Sequence, residues 1–249
     1  GAEDFGISVG QIEADYSVAV ERSRKVVDRL TRGVAALFKK HGVTRLEGHA
    51  ELMGPHTIAL GDERVEATNI IIATGARPRL APGIEIDGET VVTYREAILQ
   101  ETAPRDAVIV GGGAIGLELG FVYNAYGAKV TVVEALPRIL PNEDDEVSTA
   151  LARSLRKQGL DVLTDSMVKR IEQTDSGVIV HIETPDDDDL CVPADRVLVS
   201  IGIVGNTEDL GLEAAGVELE AGFIKVDDEL RANDDGIYAI GDVMGKLPL

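Results

Sequence analysis

The run Gly111-Gly112-Gly113-Ala114-Ile115-Gly116 has the spacing G-x-G-x-x-G, and the chemistry of such a loop is capture of phosphate by backbone N–H groups. In a chain with 27 glycines the spacing alone carries little weight. Its surroundings supply the weight. The apolar run Ala107 to Val110 precedes it, a helical stretch from Ile115 to Tyr126 follows, and the run Lys129 to Val133 leads to Glu134, eighteen residues beyond Gly116. Gly111 would allow the tight turn, Gly113 would let the backbone approach a pyrophosphate, and Gly116 would let helix pack on strand. The helix N-terminus would present free N–H groups and a partial positive charge to the phosphates. Glu134 would accept hydrogen bonds from an adenosine ribose and repel a ribose phosphate, which favours NAD over NADP.

The remaining reactive groups form no constellation. Glu118, expected on the first turn of the same helix, serves there as a complement to the helix dipole. Cys191 is the only cysteine, so an internal disulfide and a thiolate metal cluster are both excluded, and a reducing, cytoplasmic setting is expected. It stands beside Asp186 to Asp189 in an expected hairpin turn with no evident base, which reads as an inert surface thiol. His41, His49, His56 and His181 show no metal-ligand spacing and accompany no nucleophile motif, so no metal ligand and no catalytic residue is assigned.

Around the glycine loop the pattern is strand, helix, parallel strand, then a helical stripe of Val147, Leu151 and Leu155 ended by Gly159, and a short strand Leu160 to Leu163. A hairpin follows, with Lys169 to Glu172 and Val178 to Glu183 flanking Asp175-Ser176-Gly177, and Arg196 to Ile201 returns as a buried strand. Upstream, apolar residues from Val20 to Phe38 recur at helical spacing within Ser17 to His41. Strand-like pieces at Thr44 to Leu52 and His56 to Leu60 come next, then Ile70 to Ala73, expected to be buried on both faces, and a short helix from Tyr94 to Gln100. The tail Ile237 to Ile240 is one more apolar strand, ending at Gly241-Asp242. The first hundred residues carry no phosphate loop and read as an incomplete domain.

At 249 residues the chain can bury one large core or two modest ones, and 44% hydrophobic with 27% charged residues is a folded composition, not a disordered one. A formal charge of −20 argues against a nucleic-acid or anionic-membrane partner, because phosphates would be repelled over most of the surface. No run of eighteen apolar residues exists and the first thirty residues lack the zones of a signal peptide, so no membrane span is expected. The acid gathers at Asn142 to Glu146, Asp186 to Asp189, Asp227 to Glu229 and Asp234-Asp235, each in or beside an expected turn. Solvated loop faces explain these clusters; a host with high internal salt is the sharper alternative.

The segments GGGAIGLELG (Gly111 to Gly120), VTVVE (Val130 to Glu134), IIIATG (Ile70 to Gly75) and YAIGDV (Tyr238 to Val243) resemble the pyridine nucleotide–disulfide oxidoreductases, in particular their dihydrolipoyl dehydrogenase branch. The resemblance runs along essentially the whole chain with the motifs in the family's order. It implies an α/β fold: a Rossmann-type parallel-sheet NAD domain with a β-meander, inserted in an incomplete FAD-binding domain. The expected divisions are a partial FAD domain over 1–102, the NAD domain over 103–225 and a return segment of the FAD domain over 226–249. By the same resemblance Gly111, Gly112, Gly113, Ala114, Ile115, Gly116, Leu117 and Glu118 would line the NAD pyrophosphate and nicotinamide ribose, with Glu118 near the nicotinamide. Glu134 would hold the adenosine ribose, and Val168 and Gly202 would close over the adenine and nicotinamide sides. Ala50, Thr74 and Gly75 would set backbone against FAD, and Asp242 would bind a ribityl hydroxyl. Where some relatives carry a tyrosine gate this chain has Ala114, so no gate is expected.

The implied activity is electron transfer between a dithiol such as dihydrolipoamide, or a lipoyl domain, FAD and NAD in a homodimer. The family's first FAD glycine loop, redox cysteine pair and histidine–glutamate dyad have no matching motif in these 249 residues, so the chain reads as the central portion of such an enzyme. Two alternatives stand beside it: another reductase of the family, of mercuric or transhydrogenase type, and a non-catalytic NAD-binding module.

Overall fold

The computed structural model describes residues 5–6, 10, 13–233 and 236–246, and the acidic pair Asp234-Asp235 lies outside them. In chain order the elements begin with α1 (Tyr16–Lys40), β1 (Ala50–Leu52), β2 (Thr57–Leu60), β3 (Glu63–Glu66), β4 (Ile70–Ile72) and β5 (Ala76–Pro78). Next come β6 (Val91–Val92), α2 (Tyr94–Ala97), β7 (Asp106–Val110), α3 (Ala114–Ala125), β8 (Lys129–Val133), α4 (Asp145–Lys157) and β9 (Asp161–Leu163). A run of strands follows: β10 (Met167–Thr174), β11 (Gly177–Glu183), β12 (Leu190–Ala194), β13 (Arg196–Val199) and β14 (Ile203–Gly205). The last are β15 (Leu219–Glu220), β16 (Phe223–Ile224) and β17 (Ile237–Ala239).

Two compact units form, Gly1–Val34 with Leu80–Ile201, and Ala35–Arg79 with Gly202–Leu249. These lines fall elsewhere than the divisions at 102/103 and 225/226 drawn from the sequence. Pairing explains part of the difference, since β6 adds in parallel to β13 and carries the segment after Leu80 into the first unit.

The first unit is built on a five-stranded parallel sheet of order β6-β13-β7-β8-β9. Its strands are continuous apolar runs because both faces are covered. Alternate residues serve opposite layers: Ile109, Val130 and Val132 pack with Leu117 and Tyr123 of α3 and Leu155 of α4, while Val108, Val110 and Val133 pack with Val178, Val180 and Ile182 of β11. The result is three layers, helices, parallel sheet and an antiparallel β10-β11-β12 meander. The β7-α3-β8 crossover is the unit that positions the glycine loop.

In the second unit β4 pairs in parallel with β17, β5 with β14 antiparallel, and β1-β2-β3 form an antiparallel sheet. Leu52, Ile70, Ile72, Ile224, Ile237 and Val243 share its core.

Several expectations are corrected. Ile71 is 62% exposed, because β4 has only β17 beside it among the described residues and just one face of the pair meets the core. Val147 is exposed on α4, where Ser148 is buried in its place. The short helix after Thr93 ends at Ala97. Strand β12 was missed, and Cys191 lies within it and not in a turn; Pro193 is tolerated because β12 is the meander's edge. On α1 the stripe Val27, Leu30, Val34, Leu37 and Phe38 is exposed, and only Val20 is buried.

Candidate functional site

The glycine loop leaves the carboxyl end of β7 and is held from three sides. Gly111 has φ +104° and its N–H donates to the Val133 carbonyl at 2.8 Å; a Cβ there would lie 2.5 Å from the Ser200 carbonyl oxygen. Ser200, buried just past β13, donates its hydroxyl to the carbonyls of Val110 and Gly111 at 3.1 and 3.2 Å. Gly112 is enclosed as tightly, with a Cβ there falling 2.8 Å from Ile139 Cγ2 and 3.1 Å from Glu134 Cβ. Its carbonyl accepts the Leu140 N–H at 2.8 Å. At Gly116 a Cβ would come within 2.5 Å of the Gly111 carbonyl and 2.8 Å of Ile109 Cγ2, so this glycine is what lets α3 approach β7.

Gly113 differs from all three. A Cβ on it would meet nothing within 4 Å, and it is the N-cap of α3 with φ −79° and ψ 176° and no side chain capping the helix. A twelve-residue helix therefore starts at a residue without a side chain, with open space where a Cβ would stand and no side chain capping its first N–H groups. Such a terminus attracts an anion through its N–H groups and dipole together.

Glu134 follows β8 and is 8% exposed. One carboxylate oxygen accepts the Gly112 N–H at 2.6 Å and the other the Leu136 N–H at 2.9 Å. An ionised carboxylate has about four acceptor positions, so roughly two remain for hydroxyl donors. Glu118 is the fifth residue of α3 and not in its first turn, which corrects its dipole reading, since that effect fades beyond the first turn. It is exposed, as is Ala114. Ile115 is half-buried, Leu117 is buried in the core between helices and sheet, and Val168 lies half-buried on β10 against the meander core.

The other expected residues belong to the second unit. Thr74-Gly75 follows β4 and Asp242 follows β17, so both lie beyond the carboxyl ends of adjacent parallel strands, the usual place for ligands on such sheets. Asn206 locks the first of these loops: Thr74 Oγ1 donates to its carbonyl at 2.7 Å, its side-chain amide donates to the Thr74 carbonyl at 2.9 Å, and its N–H donates to the Gly75 carbonyl at 3.0 Å. Arg77 reaches Asn206 and forms a two-pronged pair with Glu208, whose carboxyl its hydrogen bonds hold below the ordinary range. Asp242 is half-buried in a 3-10 turn. Ala50 lies exposed on β1, and Gly202, with φ +110°, accepts the Arg79 N–H at 2.9 Å.

Sequence reasoning missed Ser200, Ile139, Ser148 and Asn206. Ser148 is buried and donates its hydroxyl to the Ile139 carbonyl, which supports the wall against Gly112. Nothing in local spacing marks these residues, because each acts on a partner distant in the chain or across a turn. Cys191 also needs correction: His181 Nδ1 lies 3.5 Å from its sulfur, across the β11-β12 ladder.

Residues 6–249 match the family model described as pyridine nucleotide-disulphide oxidoreductase. The chain is 42% identical to the dihydrolipoyl dehydrogenase of Chlorobaculum tepidum over 252 residues, covering 99% of this chain and 54% of that protein. It is also 42% identical to the dihydrolipoyl dehydrogenase of Mycobacterium tuberculosis, covering all of this chain and 54% of the relative. Among solved structures, LpdA from Mycobacterium tuberculosis is similar with a TM-score of 0.84 at 29% identity, over 96% of this chain and 54% of that one. The HOCl-induced flavoprotein disulfide reductase RclA from Escherichia coli is similar with a TM-score of 0.82 at 28% identity, over 95% and 54%. The chain thus spans about half the length of the relatives it matches.

Proposed function

This chain belongs to the pyridine nucleotide-disulphide oxidoreductase family, and from that membership we propose that it forms the NAD end and part of the flavin cradle of a dihydrolipoyl dehydrogenase-like enzyme. The observation that carries the reading is Gly113, an uncapped helix N-terminus with open space where a Cβ would stand, close in sequence and held in one loop with Gly112, which Glu134 fixes. That opening fits a pyrophosphate, and the free acceptor positions of Glu134 fit ribose hydroxyls.

When bound, FAD and NAD would supply two-electron and hydride transfer from a dithiol, which becomes a disulfide, to NAD. The chain's own residues bind and orient. Gly111 to Gly116 and the start of α3 hold phosphates, Ile115 and Glu118 shape the path toward the nicotinamide while Leu117, buried in the core, anchors α3 beneath them, and Glu134 selects an unphosphorylated ribose. Val168 borders the dinucleotide. Ala50, Thr74, Gly75 and Asp242 set backbone and a carboxylate against FAD, with Asn206 keeping the Thr74-Gly75 loop in place. The single cysteine cannot make an intramolecular dithiol pair, so the proposed activity requires a pair that these 249 residues do not supply. The substrate is dihydrolipoamide or a lipoyl domain, the working form is a homodimer, and the setting is the cytoplasm. No helix among the described residues is long and apolar enough to cross a membrane.

Fluorescence titration with NADH and the visible spectrum of the purified chain test this together. NADH binds, while the 249 residues alone hold FAD weakly and do not reduce NAD with dihydrolipoamide. Absence of NADH binding sinks the reading, and stoichiometric FAD with turnover in this chain alone would place the chemistry on residues assigned here to structure.

A further inference from the structure

The β10-β11-β12 meander brings together three different metal-ligating side chains that the dinucleotide reading does not use. His181 of β11 and Cys191 of β12 are register partners across the antiparallel ladder, and Asp189 stands just before β12. Single ligand atoms from the three lie within 4.8 Å of one another. The His181 side chain is 8% exposed and the other two residues are exposed, so the cluster has a buried floor and an open mouth.

We propose that His181 Nδ1, Cys191 Sγ and the Asp189 carboxylate bind one borderline-soft divalent ion, Zn2+ as the type, with a fourth position open to solvent. Nitrogen, thiolate and carboxylate form a zinc donor set, and three protein ligands leave a tetrahedron one vertex short. The distances agree with this. With Zn–S about 2.3 Å and Zn–N about 2.0–2.1 Å, the S···N edge of a tetrahedron is about 3.5–3.6 Å, and Cys191 Sγ stands 3.5 Å from His181 Nδ1. Asp189 Oδ1 lies 2.8 Å from Nδ1, in the place of a hydrogen-bond partner, and has to draw back by about half an ångström for the N···O edge. As an exposed side chain in a turn it can do so.

The outer contacts point the same way. Glu172 Oε2 lies 3.3 Å from His181 Nε2, on the far side of the ring, where a carboxylate fixes a metal-ligating histidine with its other nitrogen free. Arg170 Nη2, a cation, is 3.2 Å from Nδ1. It is half-exposed and already paired with Glu172, so it can turn aside, and its charge opposes the metal ion.

Co2+ titration of the purified chain, followed by Zn2+ competition, tests the proposal. One equivalent of Co2+ gives a thiolate-to-cobalt charge-transfer band with tetrahedral d–d bands, and Zn2+ abolishes both. Cys191→Ser, at an exposed position that folding tolerates, removes the charge-transfer band and weakens binding by more than about a hundredfold, the upper end for losing an outer partner. Glu172→Gln weakens it about tenfold and Arg170→Ala tightens it. Asp186→Asn with Asp188→Asn, elsewhere in the acidic run, leaves the spectrum unchanged. No charge-transfer band, equal binding by Cys191→Ser, or binding lost with Asp186 and Asp188 instead would overturn the site.

Discussion

Glu134 and Gly112 are joined by a 2.6 Å hydrogen bond from the glycine N–H to the carboxylate, which makes the expected ribose acceptor also the brace of the phosphate loop. Glu134→Ala therefore removes two charge-assisted hydrogen bonds, a buried one to Gly112 and a part-buried one to Leu136, and should lower stability by about 2–4 kcal/mol. In the native chain NADH should bind at least about fivefold more tightly than NADPH, roughly 1 kcal/mol. Calorimetric titration with both nucleotides decides this. Equal affinities, or an unchanged preference in Glu134→Ala, would take the ribose away from Glu134.

Two glycines of one loop should respond in opposite ways to alanine. In Gly116→Ala the new methyl meets the Gly111 carbonyl and Ile109, which costs about 1–3 kcal/mol or more and shows as a lowered melting temperature. In Gly113→Ala the methyl enters open space, so the cost stays near that of a poorer N-cap, about 1 kcal/mol or less. NADH affinity should nevertheless fall about tenfold or more, some 1.4 kcal/mol, because the methyl occupies the space a pyrophosphate needs. A Gly113→Ala variant with native affinity would show that the opening is not the ligand's.

Tyr123 is wholly buried, and burial pushes its phenol up to about 12, with Tyr16 adding and the Arg196 guanidinium opposing. Among the described residues its hydroxyl and Arg196 Nε have no partner of hydrogen-bonding geometry. Tyr123→Phe should then be neutral or stabilising by about 1 kcal/mol at pH 7, read from denaturant midpoints. The sign in alkali follows from linkage. A phenol raised in the folded state leaves stability intact below pH 10 and removes it as pH rises towards about 12, by on the order of 3 kcal/mol at most. The wild type should lose stability more steeply than Tyr123→Phe over that window; parallel curves would assign the loss to other groups.

Salt should stabilise the fold. With a net charge of −20, screening between low and molar salt relieves repulsion among carboxylates such as Asp186 to Asp189 and Asp227 to Glu229. Melting temperature measured across that range should climb. A flat or falling curve would return the acid clusters to ordinary solvated loops.

The sequence by itself determined the β7-α3-β8 crossover, because a continuous apolar strand, a glycine loop and a helix are local patterns whose geometry follows from backbone freedom and periodicity. It also located Glu134 at the end of the second strand and Thr74-Gly75 and Asp242 after two apolar runs. Tertiary structure alone decided which neighbours make those residues useful. Ser200 comes from the residue just past β13, Ile139 from the turn before α4 and Asn206 from a loop far along the chain, and each meets its glycine or threonine through packing that leaves no periodic trace. The same holds for exposure: Ile71 and Val147 are apolar at the expected spacing, yet they face outward because burial depends on which layer stands opposite. Cys191 and His181 are ten residues apart with an acidic run between them, and only the antiparallel register of β11 with β12 sets sulfur beside nitrogen, since a slip of one residue would turn the two side chains to opposite faces.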